Sequence, residues 1–280
     1  MRSHCVNRST AGWNESTKKP RELSAASEAK QSNSPLFRSL SVVRTIPAVL
    51  HVPELADEPA LIHGFSTTLL GSVGLTHATD RGAVMKSRDE FARILELDGS
   101  ESLTVAGAIH GADVARVDSA PAIIDDVDAL ITDRPGIGLF TTHADCFPIV
   151  LWDPIHGAIG LAHAGWRGTH ARVAVATLNA MEREFGTKPR DVRAGIGPGI
   201  CGRCYEVGPE VAENFEDAFV TRSDGDRFLL DLAASNIAQL KGTGVRAVHD
   251  IAMCTKESYL FPSHRRLPDG TRFGAIVALR

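Results

Sequence analysis

The sequence lacks a long hydrophobic run. Its longest candidate, residues 147–152, is followed at once by Asp153 and Pro154, whereas a membrane-spanning helix needs roughly 18 or more consecutive apolar residues. The start of the chain also lacks the apolar segment of a secretory signal. These two absences predict a protein that neither spans nor binds a membrane.

Cysteine is scarce and odd in number. The 280 residues contain five, at Cys5, Cys146, Cys201, Cys204 and Cys254. A widely spread, odd set does not resemble the paired framework of a small disulfide-stapled secreted protein. We therefore expect a reducing, cytoplasmic compartment, in which the cysteines have packing, metal-binding or nucleophilic roles.

Positive charge is not in excess either. The 30 Lys and Arg residues face 34 Asp and Glu residues, giving a net charge of −4. Such a balance provides no bulk attraction to nucleic acid or to anionic lipid. With 43% hydrophobic residues, the chain has enough apolar side chains to bury a substantial core. A globular protein that acts on small molecules is the class left open.

The amino-terminal region differs in composition from the rest. Residues 1–40 are rich in Ser, Asn, Lys and Arg and show no hydrophobic period, which predicts a disordered extension. Residues 41–280 contain neither an internal repeat nor a linker that would divide them. We predict one catalytic domain over residues 41–280.

Strand-like and helix-like segments are mixed irregularly within that domain. Short β-rich runs separated by Gly, Pro or Asp fill residues 60–67 and 103–146, and further strands are expected at 191–197 and at the end of the chain. Apolar residues at helical spacing predict helices over 87–97, with Ser87 as a possible cap, and over 169–185, and further helices after Pro209 and after Asp231. Because regular βαβ alternation is missing, the pattern favours an α+β fold with mixed or antiparallel sheets.

Three potential metal ligands end apolar segments beside small residues. They are His110, Cys146 and His163. Two imidazoles and a thiolate suit zinc, and three protein ligands leave a fourth, catalytic position open. Their wide spacing follows no local metal motif, so a hydrogen-bonded core role for each is the alternative.

Two further patterns overlap in one loop. The run from Gly197 to Gly202 matches G-x-G-x-x-G, but Pro198 and the missing βαβ context favour a tight turn over a dinucleotide site. Cys201 and Cys204 form C-x-x-C, which is half a zinc site or a redox pair. Since no second C-x-x-C exists, a structural or incidental role is favoured over a catalytic one.

Several ordered blocks together resemble the YfiH family, also called the laccase-domain or multicopper polyphenol oxidase family. The blocks are AIHGADV, DALIT, PGIGL, ADC, PIVL, HAGWRG, GPGIC, CYEVG and a closing CT–F–S–RR. They extend from about His63 to the carboxyl terminus. The resemblance implies an αββα fold, with mixed or antiparallel sheets packed face to face between flanking helices. It also implies a zinc ion held by His110, Cys146 and His163, with copper as the alternative metal.

The resemblance also implies an activity. Members of the family are described as purine nucleoside phosphorylases with adenosine deaminase and methylthioadenosine phosphorylase activities. We therefore expect a zinc-dependent phosphorylase acting on adenosine, inosine, guanosine and S-methyl-5'-thioadenosine, with adenosine deaminase activity. Purine nucleosides and phosphate would be its partners. The alternatives are a copper-dependent polyphenol oxidase, a cysteine hydrolase that uses Cys146, and a purine-binding protein without activity.

Roles for other residues follow on the same hypothesis. Arg167, beside a predicted helix start, is expected to hold phosphate with help from Arg265 or Arg266. Asp145 is expected to orient a metal-bound histidine or to act as general base. The chain departs from the family at Ala108, where Gln is usual, and at Thr68, where Arg is usual. The predicted substrate-binding residues are Ser66, His143, Cys204, His264 and Arg265.

Overall fold

The computed structural model describes residues 47–280. The predicted extension over residues 1–40 lies outside these residues, as do residues 41–46, with which the predicted domain begins. No helix in the described part of the chain combines the length and the apolar character that a membrane crossing needs.

Strands make up most of the regular structure. In chain order they are β1 (Val49–Leu50), β2 (Leu61–Ser66), β3 (Leu103–Gly107), β4 (Val114–Arg116), β5 (Ala122–Asp125), β6 (Ala129–Thr132), β7 (Gly138–His143), β8 (Phe147–Asp153), β9 (Ala158–Ala164), β10 (Arg193–Ile196), β11 (Glu206–Val207), β12 (Val220–Arg222), β13 (Phe228–Leu230), β14 (Ala247–Asp250) and β15 (Phe273–Leu279). The α-helices are α1 (Pro53–Ala56), α2 (Arg81–Ile94), α3 (Trp166–His170), α4 (Val173–Phe185), α5 (Pro209–Ala212) and α6 (Leu232–Gly242).

Two six-stranded sheets form the centre of the structure. The first has the order β1-β2-β15-β7-β3-β5, and the second has the order β14-β10-β8-β9-β6-β4. Both are mixed: β15 is antiparallel to β2 and β7, whereas β3 is parallel to β5 and β7. In the second sheet β8 is antiparallel to β9 and β10, while β14 is parallel to β10. A third sheet has three antiparallel strands in the order β11-β13-β12.

The two large sheets pack face to face because each has an apolar inner face. Successive residues of a strand point to opposite sides of its sheet, so every second residue of β15 faces the second sheet. The shared core includes Phe273, Ala275 and Val277 from the first sheet and Val150, Trp152 and Leu161 from the second.

Helices cover the two outer faces. Phe91 and Ala92 of α2 pack on Phe140 and Ile276 of the first sheet. On the other side, α4 and α6 pack on the second sheet through a cluster that includes Leu178, Met181, Leu240, Ile149 and Ala162. The order helix, sheet, sheet, helix confirms the α+β, αββα fold expected from the resemblance.

Three predicted helices were wrong in extent. The helix predicted over 87–97 begins at Arg81, because the Asp80 carboxylate accepts the Ala83 amide and satisfies one free N–H of the first turn. The helix predicted over 169–185 is divided into α3 and α4 at Arg172, whose φ of 62° cannot continue a right-handed helix. The helix after Pro209 is only one turn long. The cap predicted at Asp231 is confirmed by its bond to the Ala234 amide.

Leu161 provides a test of the core between the sheets. Its side chain is fully buried, so Leu161→Ala should lower the free energy of unfolding by about 2–5 kcal/mol, through lost apolar burial and a residual cavity. The matched control is Ile155→Ala on the β8–β9 turn, where the side chain is 69% exposed and the change should stay within about 0.5 kcal/mol. Equal effects in denaturant unfolding would contradict this packing.

Candidate metal centre

Pairing of β8 with β9 places Cys146 beside the end of β9. Phe147 is opposite Ala164 in this hairpin, so Cys146, directly before β8, meets Gly165, directly after β9. A Cβ at Gly165 would lie 2.9 Å from the Cys146 Sγ and 3.0 Å from the His110 Cδ2. The missing side chain at Gly165 therefore leaves room for these two residues to approach each other.

The loop between β3 and β4 brings His110 to the same place. His110 has a φ of 65°, a left-handed conformation that costs a non-glycine residue about 1–3 kcal/mol. The Asp128 carboxylate accepts the amides of Ile109, His110 and Gly111 at 3.1, 2.9 and 2.6 Å. Those charge-assisted bonds offset the cost and fix the loop.

Asp128 also orients His163. Its Oδ1 lies 2.9 Å from the His163 Nδ1, and the carboxylate is fully buried directly before β6. Because an ionised carboxylate only accepts, Nδ1 carries a proton, so Nε2 is the nitrogen with the lone pair whenever the ring is neutral, as it is in a metal complex. A carboxylate bound in this way to the second nitrogen of a metal-binding histidine is the usual arrangement in zinc proteins.

The three predicted ligands converge. One ligand atom each from His110, Cys146 and His163 lies within 4.8 Å of the other two. The oriented Nε2 of His163 and the room at Gly165 fit a zinc ion bound by three protein ligands, which leaves a fourth position open. Ligand type alone does not distinguish zinc from copper here, since imidazole and thiolate bind both.

Cys146 and His163 change each other's titration. Burial alone would raise the pKa of the Cys146 thiol, but the charge of His163 and hydrogen bonds from both histidines lower that pKa to about 6. Burial would lower the pKa of His163, but Cys146 and Asp128 raise that pKa to about 9. In the protein alone near neutral pH, the two side chains therefore form a thiolate–imidazolium pair.

His143 lies next to the cluster, with its ring centroid 5.1 Å from that of His163. Its Nε2 is 2.7 Å from the Thr141 hydroxyl and its Nδ1 is 3.2 Å from the Cys146 carbonyl. Burial and the charge of His163 hold the pKa of His143 well below its usual value, so the ring is neutral. Its direct contact with substrate stays a prediction.

A cavity of about 630 Å³ opens over the metal centre. His110, His163 and Asp145 line it, and so do the predicted residues His264 and Arg265 and the variant position Ala108. The other charged or aromatic residues of its wall are His77, Arg88, Asp125, Tyr205 and Arg272. The cavity is thus bordered by two of the three candidate metal ligands and by three arginines.

Other predicted residues lie away from this wall. Ser66 is fully buried and its hydroxyl accepts the Gly274 amide at 2.8 Å. Arg167 is exposed, with its guanidinium 4.3 Å from the centroid of the Trp166 ring. Thr68 donates to the Tyr259 carbonyl at 3.1 Å. Cys204 belongs to a separate cluster with Glu257.

Asp145 and Arg266 hold loops together. The Asp145 carboxylate accepts the Thr255 hydroxyl at 2.6 Å and the Arg265 amide at 2.7 Å. Arg266 donates to four backbone carbonyls, those of Thr255, Lys256, Ser258 and Phe261. The contact to a ligating histidine that the sequence assigned to Asp145 is made by Asp128 instead.

Sequence reasoning missed Asp128 and Arg88. Arg88 follows Val84 by four residues and precedes Phe91 by three, a spacing that puts it on the buried face of α2. Asp128 is an acidic residue directly before a buried strand. Both signals are present in the sequence, but they indicate burial and not a partner.

The glycine-rich loop packs against phenylalanines. A Cβ at Gly197 would lie 2.5 Å from the Phe65 ring, and one at Gly199 would lie 2.4 Å from the Phe147 ring. The loop follows β10 and leads into β11, not into a helix. Close packing of the chain accounts for these glycines.

Residues 62–280 match the family described as multi-copper polyphenol oxidoreductase laccase. A purine nucleoside phosphorylase of Deinococcus radiodurans is 33% identical over 236 residues, covering 83% of each chain. "Adenosine deaminase RL5" from an unknown prokaryotic organism is 39% identical over 161 residues, covering 54% of this chain and 61% of the relative.

The fold has solved counterparts as well. The crystal structure of the Bacillus licheniformis hypothetical protein YfiH superposes with a TM-score of 0.76 and 27% identity, covering 84% of this chain and 97% of that one. Fold and sequence agree on one class, the YfiH-like proteins. The chain belongs to the multi-copper polyphenol oxidoreductase laccase family, and the predicted resemblance is confirmed.

The ion pair predicts a pH profile for alkylation of Cys146 in protein stripped of metal. Only the thiolate reacts, so the rate should rise with pH through about 6. In His163→Asn the midpoint should move up toward the ordinary thiol value of about 9, because the neighbouring positive charge is gone. His264→Asn, on the cavity wall, should leave the midpoint unchanged. A wild-type midpoint near 9 would exclude the ion pair.

Proposed function

We propose that this protein is a zinc-dependent purine nucleoside phosphorylase that also deaminates adenosine. The observation that carries the proposal is the open three-ligand cluster of His110, Cys146 and His163, whose two histidines line a nucleoside-sized cavity. The names of the two relatives support the two activities. Adenosine, inosine, guanosine and S-methyl-5'-thioadenosine are the proposed nucleosides.

The metal and the protein have separate tasks in this proposal. A bound zinc ion lowers the pKa of coordinated water and polarises electron-rich groups, which suits hydrolytic deamination at C6 of adenosine. Asp128 binds the Nδ1 proton of His163, which leaves Nε2 as the nitrogen that would bind the ion, and it holds the His110 loop in place. The cavity walls hold the nucleoside and limit access of bulk water.

Phosphorolysis requires a second anion site, and Arg88 is its best candidate. Arg88 is 6% exposed, lines the cavity and forms no salt bridge with any residue of the described chain. Burial and the nearby Arg81 lower its pKa to about 10, so it stays charged at neutral pH. A buried guanidinium without a carboxylate partner favours an anionic ligand.

Arg88 is held in place for this task. Its Nε donates to the Val73 carbonyl at 2.8 Å, and its guanidinium lies 4.9 Å from the centroid of Phe140. Arg272 and Arg265 border the same cavity. We assign phosphate to this group. Arg167 is the alternative from the sequence, and its exposed position over Trp166 places it outside the cavity lining.

Bond changes follow from this placement. In phosphorolysis a phosphate oxygen forms the new bond to C1′ of the ribose, and the C1′–N9 bond to the purine breaks. The base leaves and takes up a proton, while the sugar becomes ribose-1-phosphate. The arginines stabilise the phosphate as it is oriented toward C1′.

A cysteine hydrolase is the second candidate, and the thiolate–imidazolium pair of Cys146 and His163 favours it. A copper polyphenol oxidase is the third, and it rests on the family description. Hydrolase activity would persist in metal-free protein and be destroyed by alkylation. Oxidase activity would require copper and consume oxygen.

The deciding assay incubates the protein with adenosine, inosine and S-methyl-5'-thioadenosine, with and without phosphate. Free base and sugar phosphate should appear only with phosphate, and inosine should form from adenosine in either case. Cys146→Ser and His110→Ala should lose both activities, by at least about 100-fold. If the zinc-loaded wild type showed neither phosphorolysis nor deamination, the proposal would be refuted.

Arg88→Lys separates phosphate binding from deamination. Lysine keeps the charge but loses the planar fork, so the KM for phosphate should rise about 10–100-fold, the equivalent of one charged hydrogen bond. Adenosine deamination, which uses water, should change little. Arg167→Lys is the matched control, and a phosphate effect in that variant alone would move the phosphate site to α3.

A further inference from the structure

The second group of metal-ligating side chains lies outside the centre described above. One ligand atom each from Cys201, Cys204, Cys254 and Glu257 lies within 4.8 Å of the other three. Cys254 is buried, Cys201 and Cys204 are half-buried and Glu257 is exposed. The C-x-x-C pair that has no partner pair in the sequence thus acquires two further donors by folding.

Backbone hydrogen bonds fix the positions of the three sulfurs. The amides of Cys204 and Tyr205 both donate to the Cys201 carbonyl, at 2.9 and 3.0 Å, which makes a tight turn. Gly199 forms a parallel bridge with Cys254, so the turn and the Cys254 loop are joined. The Cys201 amide also donates to the Cys254 Sγ at 3.4 Å.

Charges around the cluster favour an anionic ligand set. The Arg203 guanidinium is 3.3 Å from the Glu257 carboxylate, and the Lys256 ammonium is 3.5 Å from the Cys204 carbonyl. The Cys204 thiol donates to Glu257 at 3.4 Å. Three thiolates and a carboxylate around a divalent cation carry a net charge of about −2, which these two cations offset.

We propose that Cys201, Cys204, Cys254 and Glu257 bind a second zinc ion, in a closed structural site. Three sulfurs and one oxygen make a four-coordinate tetrahedral set with no position left for water or substrate. This composition contrasts with the three-ligand centre at Cys146, which keeps one position open. The proposal goes beyond the proposed activity and does not depend on it.

The position of the cluster explains what such an ion would stabilise. Cys204 is followed by Tyr205, whose ring lies 4.9 Å from the Arg265 guanidinium, and both residues line the cavity. Cys254 is followed by Thr255, which donates to Asp145 beside Cys146. A zinc ion here would join the two loops that form one wall of the cavity.

A disulfide is the competing use of these cysteines. It would join two sulfurs and leave the third thiol beside Glu257. Four donors in one cluster suit a metal ion better than a two-sulfur bridge.

Metal content of the full-length protein, purified under reducing conditions in zinc-containing buffer without chelator, tests the proposal. Wild type should contain about two zinc ions per chain, and Cys146→Ser about one. Cys204→Ser and the milder Glu257→Gln should each lose the second zinc ion or bind it more weakly. Arg190→Ala, at an exposed arginine outside the cluster, should keep both ions. Substitution with cobalt should give stronger thiolate-to-metal absorption at the second site, because three sulfurs bind there.

Several results would overturn it. One zinc ion per wild-type chain that is lost in Cys146→Ser would remove the second site, and so would an intact Cys201–Cys204 disulfide in mass spectra of the reduced preparation. An iron–sulfur cluster in place of zinc would also contradict it. Since these measurements read metal and thiol content, a protein without purine activity that holds two zinc ions would refute the proposed function and leave this inference standing.

Discussion

One buried carboxylate holds the candidate centre together. Asp128 accepts three consecutive amides of the His110 loop and also the Nδ1 proton of His163. The His110 loop connects β3 of the first sheet with β4 of the second, whereas His163 lies on β9 within the second sheet. The carboxylate offsets the left-handed backbone at His110 and selects the tautomer of His163. Loop position, ring orientation and the ionisation of Cys146 therefore depend on one side chain.

The remaining architecture places this carboxylate and its partners where β6, β8 and β9 of the second sheet end side by side. Face-to-face packing of the sheets buries apolar residues of β6, β8 and β9 in the shared core, and the β8–β9 register brings Cys146 opposite Gly165. The cavity forms where loops after β3, β7 and β10 meet the segment before β15. A cluster built on strand ends has precise geometry, while the loops supply Tyr205, Arg265 and Arg272 to the cavity wall and α2 supplies Arg88.

Polar side chains in this protein divide into those that contact the cavity and those that hold its walls. Asp145 was predicted to orient a metal-bound histidine or act as general base, and Arg266 to help hold phosphate. Both side chains hydrogen-bond to atoms of the loop from Thr255 to Arg265, although Asp145 also borders the cavity. Arg88 differs from them, since it lies on the buried face of a helix, borders the cavity and has no carboxylate partner among residues 47–280. Exposure and sequence position do not reveal this difference. Only the positions of the partners do.

Patterns among neighbouring residues predicted much of the fold and of the candidate site. Strand periodicity, the Asp231 cap and the small residues beside His110, Cys146 and His163 are properties of neighbouring residues, so the α+β class and the three candidate ligands could be predicted from the sequence. The apolar spacing did not reveal the Asp80 cap of α2 or the left-handed break at Arg172, although both are local features. The role of Asp128 and the four-ligand group around Cys254 could not be predicted. They depend on pairs of residues far apart in the chain, such as Asp128 with His163 or Cys201 with Cys254. Such contacts arise from the packing of whole sheets, and local propensity contains no information about them.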